Sequence, residues 1–533
     1  MLRITHKNRP SMELAVTGIE QRVERFMRQD YDLERYFIVT YNANDVTVEV
    51  YYENADLELV SLQTERFNAM SRLAALIAIP VTTATSSATT DVIETLTLET
   101  DQTPIAQHSI VFRIETGQQI YVDWGDGNTS IVTGIGAADV TATSTYTAVG
   151  TYDIAIVGVL KYITSLEIDS QDNLSGTLEV SKLTGLTQLI LGDLANLVVD
   201  SGEIGTLTPL EYLQLDNCPN VTVGTGEIGS LTSLIVLLLT DMATITVGAG
   251  EVGRLTALYF LGISTVPNVT ISAGEVDNLT SLYFLFLDDL ANVTIGAGEV
   301  GTLTTLGYLA LNDLPNVTIG AGEIGSLTSL LYLGLSDLLS LTINAGEIGG
   351  LILLEAIGID DCATVTVAAG EIGGLTTLVD IYFENLPNVT IGAGEIGLLI
   401  SLTDLDLVNM TGITIGAGEI GALTLLEDLY LDTLPLVTIG AGEFKSTYTE
   451  LVIDDILLCA IDAAEDLPDI NIYINDCNMS IASVDNLLIR LDALGYVNHT
   501  LTAAGSNGAH TNPGAAENAR LALVANGWTV TVN

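Results

Sequence analysis

The chain has 533 residues, of which 67 are acidic and 16 basic, so its formal net charge is −51. So strong a negative charge repels nucleic acid and anionic membranes, and we expect neither as a partner. Nine of the sixteen basic residues precede residue 77, and no continuous apolar run is long enough to span a membrane.

Residues 1–79 have a more balanced charge and predict a small α+β module. A mixed charge suits docking onto another protein, although an ordinary small domain would look the same. The start has neither an apolar core segment nor a small-residue cleavage site, so we expect no secretory signal. Residues 80–90 are mostly Thr, Ser and Ala and predict a linker. The predicted elements are helices at Ser11–Asp30 and Glu65–Ile77 and strands at Tyr36–Tyr41, Val46–Tyr52 and Leu57–Leu62.

Residues 91–159 alternate apolar and polar side chains in short strands. The predicted strands are Ile93–Leu98, Ile110–Ile114, Ile120–Asp123 and Tyr152–Val157. Within them lie the phrases Trp124-Gly-Asp-Gly127 and Gly150-Thr-Tyr152. These phrases resemble the PKD (polycystic kidney disease) domain, a β-sandwich that is mostly a spacer in surface proteins. Asp123 and Asp126 either hold the amides of the turn or bind calcium.

Residues 160–445 repeat the phrase G-E-I-G-x-L-T-x-L, and its glutamate returns every 24 residues from Glu179 to Glu443. A fixed period of this length predicts a solenoid whose coils bury their apolar faces against one another. Leu303, Leu306, Leu309 and Leu311 give the spacing L-x-x-L-x-x-L-x-L. This spacing resembles the leucine-rich repeat, and the glutamate phrase resembles the 24-residue class of plant receptors.

Each coil should place its L-x-L segment in one parallel sheet and its V-T-I segment in a second sheet. Val293 and Ile295 should point inward and Thr294 outward, with glycine at the corner that follows. The predicted fold class is therefore a mainly β, multidomain protein. A parallel β-solenoid of leucine-rich-repeat type, with about 12 coils, follows the PKD-like β-sandwich and the small α+β module.

In this type of repeat an asparagine usually forms a hydrogen-bonded ladder along the turns of successive coils. Here apolar residues, Cys218 and Cys362 among them, take its place. These two cysteines lie six coils apart, too far for a disulfide, and we expect buried thiols. Whether Cys459 pairs with Cys477 is left open by the sequence.

Residues 446–533 break the period and predict an α/β cap, which a solenoid needs to cover its last coil. The predicted elements are helices at Ser483–Leu494, with Ser483 as N-cap and Gly495 after the end, and at Pro513–Ala525, and a strand at Trp528–Val532. The ending L-x-x-x-G-W-T-V-T resembles the tails of repeat proteins encoded by bacteriophages and by bacteria.

The glutamate column is the first candidate site. Carboxylates stacked at coil spacing repel one another, so they must be solvated, satisfied by amides or bridged by cations. One interpretation is that each glutamate caps the amides of the turn that follows it. The alternative is a calcium ladder, for which Glu299 and Glu323 are the representative ligands. We therefore expect no required cofactor, with calcium as the alternative.

The second candidate site is the outward face of the predicted concave sheet. Aromatic residues beside carboxylates can stack on sugars and hydrogen-bond to them. Aromatic residues are also ordinary strand formers that pack along a ladder. The candidate ligand-binding residues are Tyr212, Phe260, Phe284, Tyr308, Tyr332, Tyr382 and Tyr430 with Asp288, Asp313 and Asp337.

Catalysis has little support in the sequence, because the four histidines are scattered and no nucleophile stands at a readable spacing from a base. Domains of an extracellular type without an export signal favour a bacteriophage particle, released by lysis. We therefore expect a non-enzymatic structural or adhesive virion protein, present in many copies or as a homo-oligomer. Its N-terminal module would bind other virion proteins, and its repeats would bind host surface polysaccharide. The alternatives are a bacterial cell-surface adhesin and a polysaccharide-degrading enzyme.

Overall fold

The computed structural model describes residues 92–101, 107–171, 173–338, 340–341, 343–362 and 365–533, together with the backbone of four earlier strands. The predictions for Leu57–Leu62, for Glu65–Ile77 and for the linker at 80–90 lie outside this part. The four strands form a sheet in the order β2-β1-β4-β3. They are β1 (Leu2–His6), β2 (Met12–Leu14), β3 (Arg35–Asn42) and β4 (Asp45–Tyr52).

Strands β3 and β4 of the N-terminal module match the prediction and pair antiparallel. The helix predicted from Ser11 is wrong at its start, because β2 pairs with β1 there and Leu2 lies opposite Leu14. Pairing with a neighbouring strand has overridden the helical spacing of the apolar residues.

The chain divides into two compact units, residues 1–294 and 295–533. The first unit contains the predicted β-sandwich, with all four predicted strands present and two more that the prediction missed, β8 and β9. The six strands are β5 (Glu94–Asp101), β6 (Gln107–Ile114), β7 (Gln119–Asp123), β8 (Thr129–Thr133), β9 (Val140–Thr145) and β10 (Thr151–Gly158).

The sandwich is continuous with the repeats. Strand β6 pairs antiparallel with β11 (Ile163–Asp169) of the first coil, and β5 pairs antiparallel with β12 (Leu174–Thr177) on the other side of that coil. Both sheets of the sandwich therefore run into the coil. The sandwich covers the first coil directly, as an N-terminal cap does, and no sequence signal predicted this.

The remaining strands of the first unit are parallel and in register, each pairing residues 24 positions apart, as Leu213 and Leu237 do. The V-T-I segments form isolated bridges, such as Val223 with Ile245, in place of the continuous second sheet that was predicted. The strands are β13 (Gln188–Gly192), β14 (Asn196–Val198), β15 (Tyr212–Asp216), β16 (Val236–Thr240), β17 (Phe260–Ser264) and β18 (Phe284–Asp288).

The second unit repeats this pattern and continues it into the predicted cap, where four further strands extend the same parallel sheet. The strands are β19 (Tyr308–Asn312), β20 (Thr318–Ile319), β21 (Tyr332–Ser336), β22 (Ser340–Leu341), β23 (Ala356–Asp360), β24 (Asp380–Glu384), β25 (Asp404–Val408), β26 (Asp428–Ile439), β27 (Glu450–Cys459), β28 (Ile472–Asn475), β29 (Thr500–Ala503) and β30 (Thr529–Val532).

Three α-helices belong to the second unit, α1 (Glu419–Ala422), α2 (Ile481–Leu494) and α3 (Ala515–Ala525). The two long ones confirm the cap prediction, with one correction. The N-cap of α2 is Ser480, whose hydroxyl accepts a hydrogen bond from the Ser483 amide, so Ser483 lies inside the helix. Gly495 ends α2 in the left-handed conformation, as predicted. Among the described residues no helix is both long and apolar enough to cross a membrane.

A short 3₁₀ helix precedes the first coil strand and another begins after most of the repeated glutamates. Each 3₁₀ helix that follows a repeated glutamate begins with a buried Ile or Val, which faces the core with the leucines of the coil. The 3₁₀ helices of the first unit are Leu160–Tyr162, Val180–Lys182, Ile204–Thr206, Ile228–Ser230, Val252–Arg254 and Val276–Asn278. Those of the second are Val300–Thr302, Ile324–Ser326, Ile348–Gly350, Ile372–Gly374 and Ile396–Leu398.

The core of each coil is apolar and closed. Val293 and Ile295 are buried and Thr294 is exposed, as the strand period predicted. The apolar residues that replace the usual asparagine, Cys218 and Cys362 among them, are also buried. Burial raises the pKa of both thiols to about 12, which keeps them protonated and unreactive. Cys459 and Cys477 are free and buried as well.

The repeated glutamate joins neighbouring coils. Glu251 accepts hydrogen bonds from Gly248 in its own coil at 2.8 Å and from Gly226 and Gly229 in the preceding coil at 2.6 and 3.1 Å. Its side chain makes no cap bond to the turn that follows, so the capping interpretation is wrong. The amides that it satisfies precede it in its own coil or belong to the coil before.

The glycines of the repeated phrase meet two different demands. Gly250, immediately before the glutamate, has φ of +80° and open space around it, so only its backbone conformation requires glycine. A Cβ atom at Gly229 would lie 3.1 Å from the Cα of Glu251 in the next coil. The second glycine therefore allows close packing between coils, and Asp277 takes the same position in another coil.

The same arrangement extends into the cap beyond the regular period. Glu465 follows Glu443 by 22 residues and accepts hydrogen bonds from the Gly442 and Phe444 amides at 2.9 and 3.0 Å. It is buried like the other members of the column. The cap therefore begins with one more coil of the same construction.

A buried histidine lies where the sandwich meets the first coil. His108 on β6 has its Nε2 atom 2.7 Å from the Thr100 hydroxyl on β5, and its Nδ1 atom 2.7 Å from Oε1 of Gln171, which follows β11. The ring of Tyr146 packs edge-on at 5.7 Å. Burial lowers the pKa of His108, and the hydrogen bond that the Gln171 Oε1 atom accepts from the ring offsets this in part.

Replacement of Glu251 by alanine should destabilise the first unit by about 3 kcal/mol or more, because three backbone amides lose a charged acceptor. The measurement is the shift of the urea unfolding midpoint. Asp200→Ala, at an exposed position, is the matched control and should change the midpoint little. Equal effects of the two substitutions would show that the glutamate does not join the coils.

Acid should weaken the junction at His108. The unfolded histidine binds a proton below about pH 6.5, whereas the buried ring resists protonation. The contribution of the neutral His108 ring to the free energy of unfolding is complete above about pH 6.5. It is lost, by about 1.4 kcal/mol per pH unit, as the pH falls from there towards the lower pKa of the folded state. We expect His108→Gln to remove this dependence between about pH 7.5 and pH 5. Thermal midpoints measure it, with His499→Gln as control, and equal slopes for wild type and His108→Gln would contradict it.

Candidate functional site

The outer face of the main sheet carries the first, third and fifth residues of each five-residue strand, because side chains alternate along a strand. In the first unit this face is closed. Tyr212, Phe260 and Phe284 occupy the first position and are at most 4% exposed. The rings of Phe260 and Phe284 stack at 5.3 Å. These three residues are buried in the strand ladder that was the alternative to a sugar site, and ligand binding by them stays a prediction.

The second unit begins with the same ladder and then changes. Tyr308 is 2% exposed, and it stacks on Tyr332 with ring centroids 6.3 Å apart. Tyr332 is half-buried, as are Tyr382 and Tyr430, which occupy the third position of their strands. Tyr308 is therefore excluded as a contact for a ligand, whereas Tyr332, Tyr382 and Tyr430 keep part of their rings accessible.

The predicted aspartates belong to two different places. Asp288 ends a strand of the first unit, where it accepts a hydrogen bond from the Ser264 hydroxyl at 2.9 Å. Asp313 and Asp337 of the second unit come one residue after a strand and have φ of +52°. Aspartate and asparagine are the residues other than glycine that best tolerate this conformation. Asp313 and Asp337 are thus explained by the turn without a ligand.

Two of the predicted residues, Tyr382 on β24 and Tyr430 on β26, flank a residue that the prediction missed, Asp406 on β25. The register places Asp406 between Tyr382 and Tyr430, one residue on each strand. Burial, with the nearby charges of Glu384 and Glu450, raises the pKa of Asp406 to about 8. Its Oδ1 atom is buried without a hydrogen-bond partner. We call Tyr382, Asp406 and Tyr430 the tyrosine–aspartate row.

A column of four carboxyl groups runs beside this row. Asp380, Asp404, Asp428 and Glu450 are paired in register on consecutive strands. Like charges directly opposite one another destabilise a sheet. Burial and a hydrogen bond with Asp404 raise the pKa of Asp428 to about 8, and the Thr449 hydroxyl donates to Asp428. The spacing Asp404-Leu-Asp406, with Leu405 inward, was the signal in the sequence that could have identified both groups.

Three further acidic side chains are close enough to hold a cation. Oxygen atoms of Asp337, Asp360 and Asp361 lie within 4.8 Å of one another. The Ser336 hydroxyl donates to Asp360 at 2.6 Å, and burial raises the pKa of Asp360 to about 6. Exposed acidic groups of this kind are common without an ion.

The residues predicted to bind calcium are occupied by amide groups. Asp123 accepts from the Gly125 amide at 3.0 Å and Asp126 from the Asn128 amide at 2.9 Å. Glu299 accepts from the Gly296 amide at 2.8 Å, and Glu323 from Gly298 at 2.7 Å and from two further amides. The bonds of Asp123 and Asp126 match the turn-holding alternative, whereas those of Glu299 and Glu323 come from amides that precede them in the chain. Calcium at the four residues stays a prediction.

Comparison of the sequence with protein families and with curated proteins gives no match. Several solved structures are similar in part. The functional domain of InlJ from Listeria monocytogenes is 15% identical, with 66% of this chain and 76% of that chain covered and a TM-score of 0.39. The leucine-rich-repeat ectodomain of GASSHO1/SCHENGEN3 from Arabidopsis thaliana is 15% identical, with 66% and 53% covered and a TM-score of 0.28. The plant peptide hormone receptor RGFR1 is 16% identical, with 70% and 80% covered and a TM-score of 0.34.

The fold assignment follows from the coils of this chain. Parallel strands in register, a 24-residue period and a leucine core in each coil define a β-solenoid of the leucine-rich-repeat type. The PKD-like resemblance rests on the sequence phrases alone. In the structure the Trp124 ring is buried, and the Trp124 carbonyl accepts a hydrogen bond from the Tyr146 hydroxyl at 2.9 Å.

The carboxyl column should make the second unit less stable in alkali. The folded-state pKa of Asp406 and Asp428 is raised above the unfolded value, so their contribution is complete below about pH 4 and is lost as the pH rises towards about 8. Asp406→Asn and Asp428→Asn should each stabilise the protein by about 1–2 kcal/mol at pH 9 and by little at pH 4. Thermal midpoints test this, with Asp313→Asn as control, and equal gains at both pH values would contradict it.

Proposed function

We propose that the protein is a non-enzymatic binding protein whose repeats recognise a polysaccharide through the outer face of the second unit. The observation that carries this proposal is the tyrosine–aspartate row, in which two half-buried rings flank a carboxyl group at strand spacing. Aromatic rings stack on the apolar faces of sugars. A carboxyl group with a pKa near 8 keeps its proton at neutral pH, so it can both donate to a sugar hydroxyl and accept from one.

The buried aromatic ladder of the first unit supports the choice of the second. Side chains such as Phe260 and Phe284 contact one another and leave no accessible ring for a ligand. In the second unit the strands that carry Tyr382 and Tyr430 hold small or acidic residues at their first positions, so no stack covers the rings. Recognition by an outer face is therefore supported on β24 to β26.

We further propose a bacteriophage particle as the setting, with residues 1–79 bound to other virion proteins and many copies in each particle. The resemblance of the ending to bacteriophage repeat proteins supports this proposal. In the structure Trp528 of that ending is buried in the cap, where its Nε1 atom donates to the Tyr496 carbonyl at 2.8 Å. A bacterial surface adhesin is the alternative setting, and it uses the same outer face.

One observation favours an enzyme as the second candidate. Burial and a hydrogen bond with Asp404 raise the pKa of Asp428 to about 8, so this carboxyl group holds a proton at neutral pH, as the general acid of polysaccharide hydrolysis must. Incubation with surface polysaccharides followed by an assay for reducing ends tests this. We expect no new reducing ends, and their release by wild type but not by Asp428→Asn would replace the binding proposal.

Removal of the accessible rings should abolish polysaccharide binding. We expect Tyr382→Ala with Tyr430→Ala to reduce binding to a panel of bacterial surface polysaccharides at least tenfold, because each lost stacking contact is worth about 1 kcal/mol. Glycan-array binding or calorimetry measures the change. Tyr212→Phe, which removes a buried hydroxyl from the closed face, is the control, and unchanged binding by the double variant would discard the row as the site.

The setting is tested by finding where the protein resides. Antibodies against the second unit should label purified bacteriophage particles in electron microscopy, at regular positions and in several copies each. Labelling of the surface of uninfected bacteria in its place would establish the adhesin and overturn the virion proposal.

A further inference from the structure

The outer face of the second unit ends in a hollow of about 410 Å³, which is within the range of small-molecule sites. It lies beyond the tyrosine–aspartate row, between the start of β27, the segment before β28 and the residue before β29. Its lining includes Glu450, Val452, Asp469, Asn471, Tyr473 and His499. These side chains come from coils that depart from the 24-residue period, so the sequence pattern did not predict the hollow.

The register explains why these residues meet. Tyr473 pairs with Val452, so its ring follows the third position of the strands as Tyr382 and Tyr430 do. Glu450 pairs with Asp428 and continues the carboxyl column into the hollow. The hollow is therefore the continuation of the face to which binding is assigned above.

Two walls of the hollow are held by contacts from the cap. The Nε2 atom of His499 lies 2.9 Å from Oδ1 of Asp469, and the imidazole packs edge-on against Trp528 at 5.1 Å. Asn471 accepts a hydrogen bond from the Thr500 amide at 2.7 Å through its Oδ1 atom. The positions of these side chains are thus set by the protein before any ligand binds, which lowers the cost of binding.

The charges around the hollow are negative. Glu450 and Asp469 line it, and the one basic side chain among its lining residues is His499, whose Nε2 atom contacts Asp469. Glu450 also contributes to the raised pKa of Asp406 and of Asp428, so its charge reaches the neighbouring strands. A ligand with a carboxylate or phosphate group would be repelled here, whereas one with a positive charge would be attracted.

We propose that this hollow binds an amine-bearing sugar, with its ammonium group paired to Glu450 and Asp469, its ring against Tyr473 and its hydroxyl groups near Asn471. A cation close to the face of an aromatic ring is stabilised further. This proposal rests on the proposed function, because it names the class of sugar that the outer face takes at its end. A neutral sugar uses the same hydroxyl contacts and lacks the charge pairing.

The test compares sugars that differ at one substituent. The full chain is titrated with D-glucosamine, N-acetyl-D-glucosamine and D-glucose at about pH 6, where the amine is charged, and binding is followed by calorimetry or ligand-observed NMR. We expect glucosamine to bind at least tenfold more tightly than either neutral sugar. We also expect Glu450→Gln to remove that advantage, whereas Asp313→Asn, a change of the same kind elsewhere in the unit, should leave it intact. Glu450 is exposed, so the substitution should not disturb folding.

The outcomes separate this proposal from the proposed function. Equal affinities for the three sugars, or an advantage of glucosamine that survives Glu450→Gln, would overturn the amine site. If a surface polysaccharide still bound through Tyr382 and Tyr430 in that case, the proposed function would stand without the amine site. Glucosamine binding that depends on Glu450, in a protein that binds no polysaccharide, would support the hollow as a site of its own and overturn the polysaccharide proposal.

Discussion

The stacking of the coils depends on one interaction, the acceptance of backbone amide hydrogens from two successive coils by a single carboxylate. Each corner leaves amides that cannot pair within the coil, and a buried amide without an acceptor is costly. Glu395 accepts from Gly392 in its own coil and from Gly370 and Gly373 in the preceding coil, at 2.6 to 3.2 Å. Burial of a charge is tolerated because three donors surround it. The two glycines of the phrase meet separate demands, one for its backbone conformation and one for close contact between coils.

A second constraint separates acids that the fold requires from acids that it does not. The residue after each strand is left-handed, and Asp289, Asp361 and Asn385 occupy that position because their side chains tolerate it. No such demand explains Asp404, which lies between Asp380 and Asp428 on the sheet. Nor does it explain Asp406, which lies between two tyrosines and whose ionisation is opposed by burial and by nearby charges. The acidic residues on this part of the sheet lower the stability of the fold, so stability does not explain their presence. Binding of a ligand does explain it, and the binding proposal is therefore centred there.

The periodic features could be predicted from the sequence, and the features without a period could not. The spacing of Leu303, Leu306, Leu309 and Leu311 predicts the strand, the buried spine and the inward residues, because each repeats with the coil. The partner of each glutamate was assigned wrongly, since amides of the preceding coil are close in space but 22 to 25 residues away in the chain. Glu465 and the strands β27 to β29 were missed because irregular coil lengths in the cap hide them from a 24-residue period, whereas β30 was predicted from its own apolar pattern.

Accessibility of the outer face was the property that sequence reasoning could not supply. Alternation along a strand establishes that Phe284 and Tyr382 both point outward, but the exposure of an outward ring depends on its neighbours across the sheet. Phe284 has aromatic neighbours that close over it, and it is fully buried. Tyr382 has Gly358 on one side and Asp406 on the other, and part of its ring stays accessible. Because small and acidic neighbours rather than the tyrosine itself make the ring available, the specificity of this face should depend as much on the residues between the aromatics as on the aromatics.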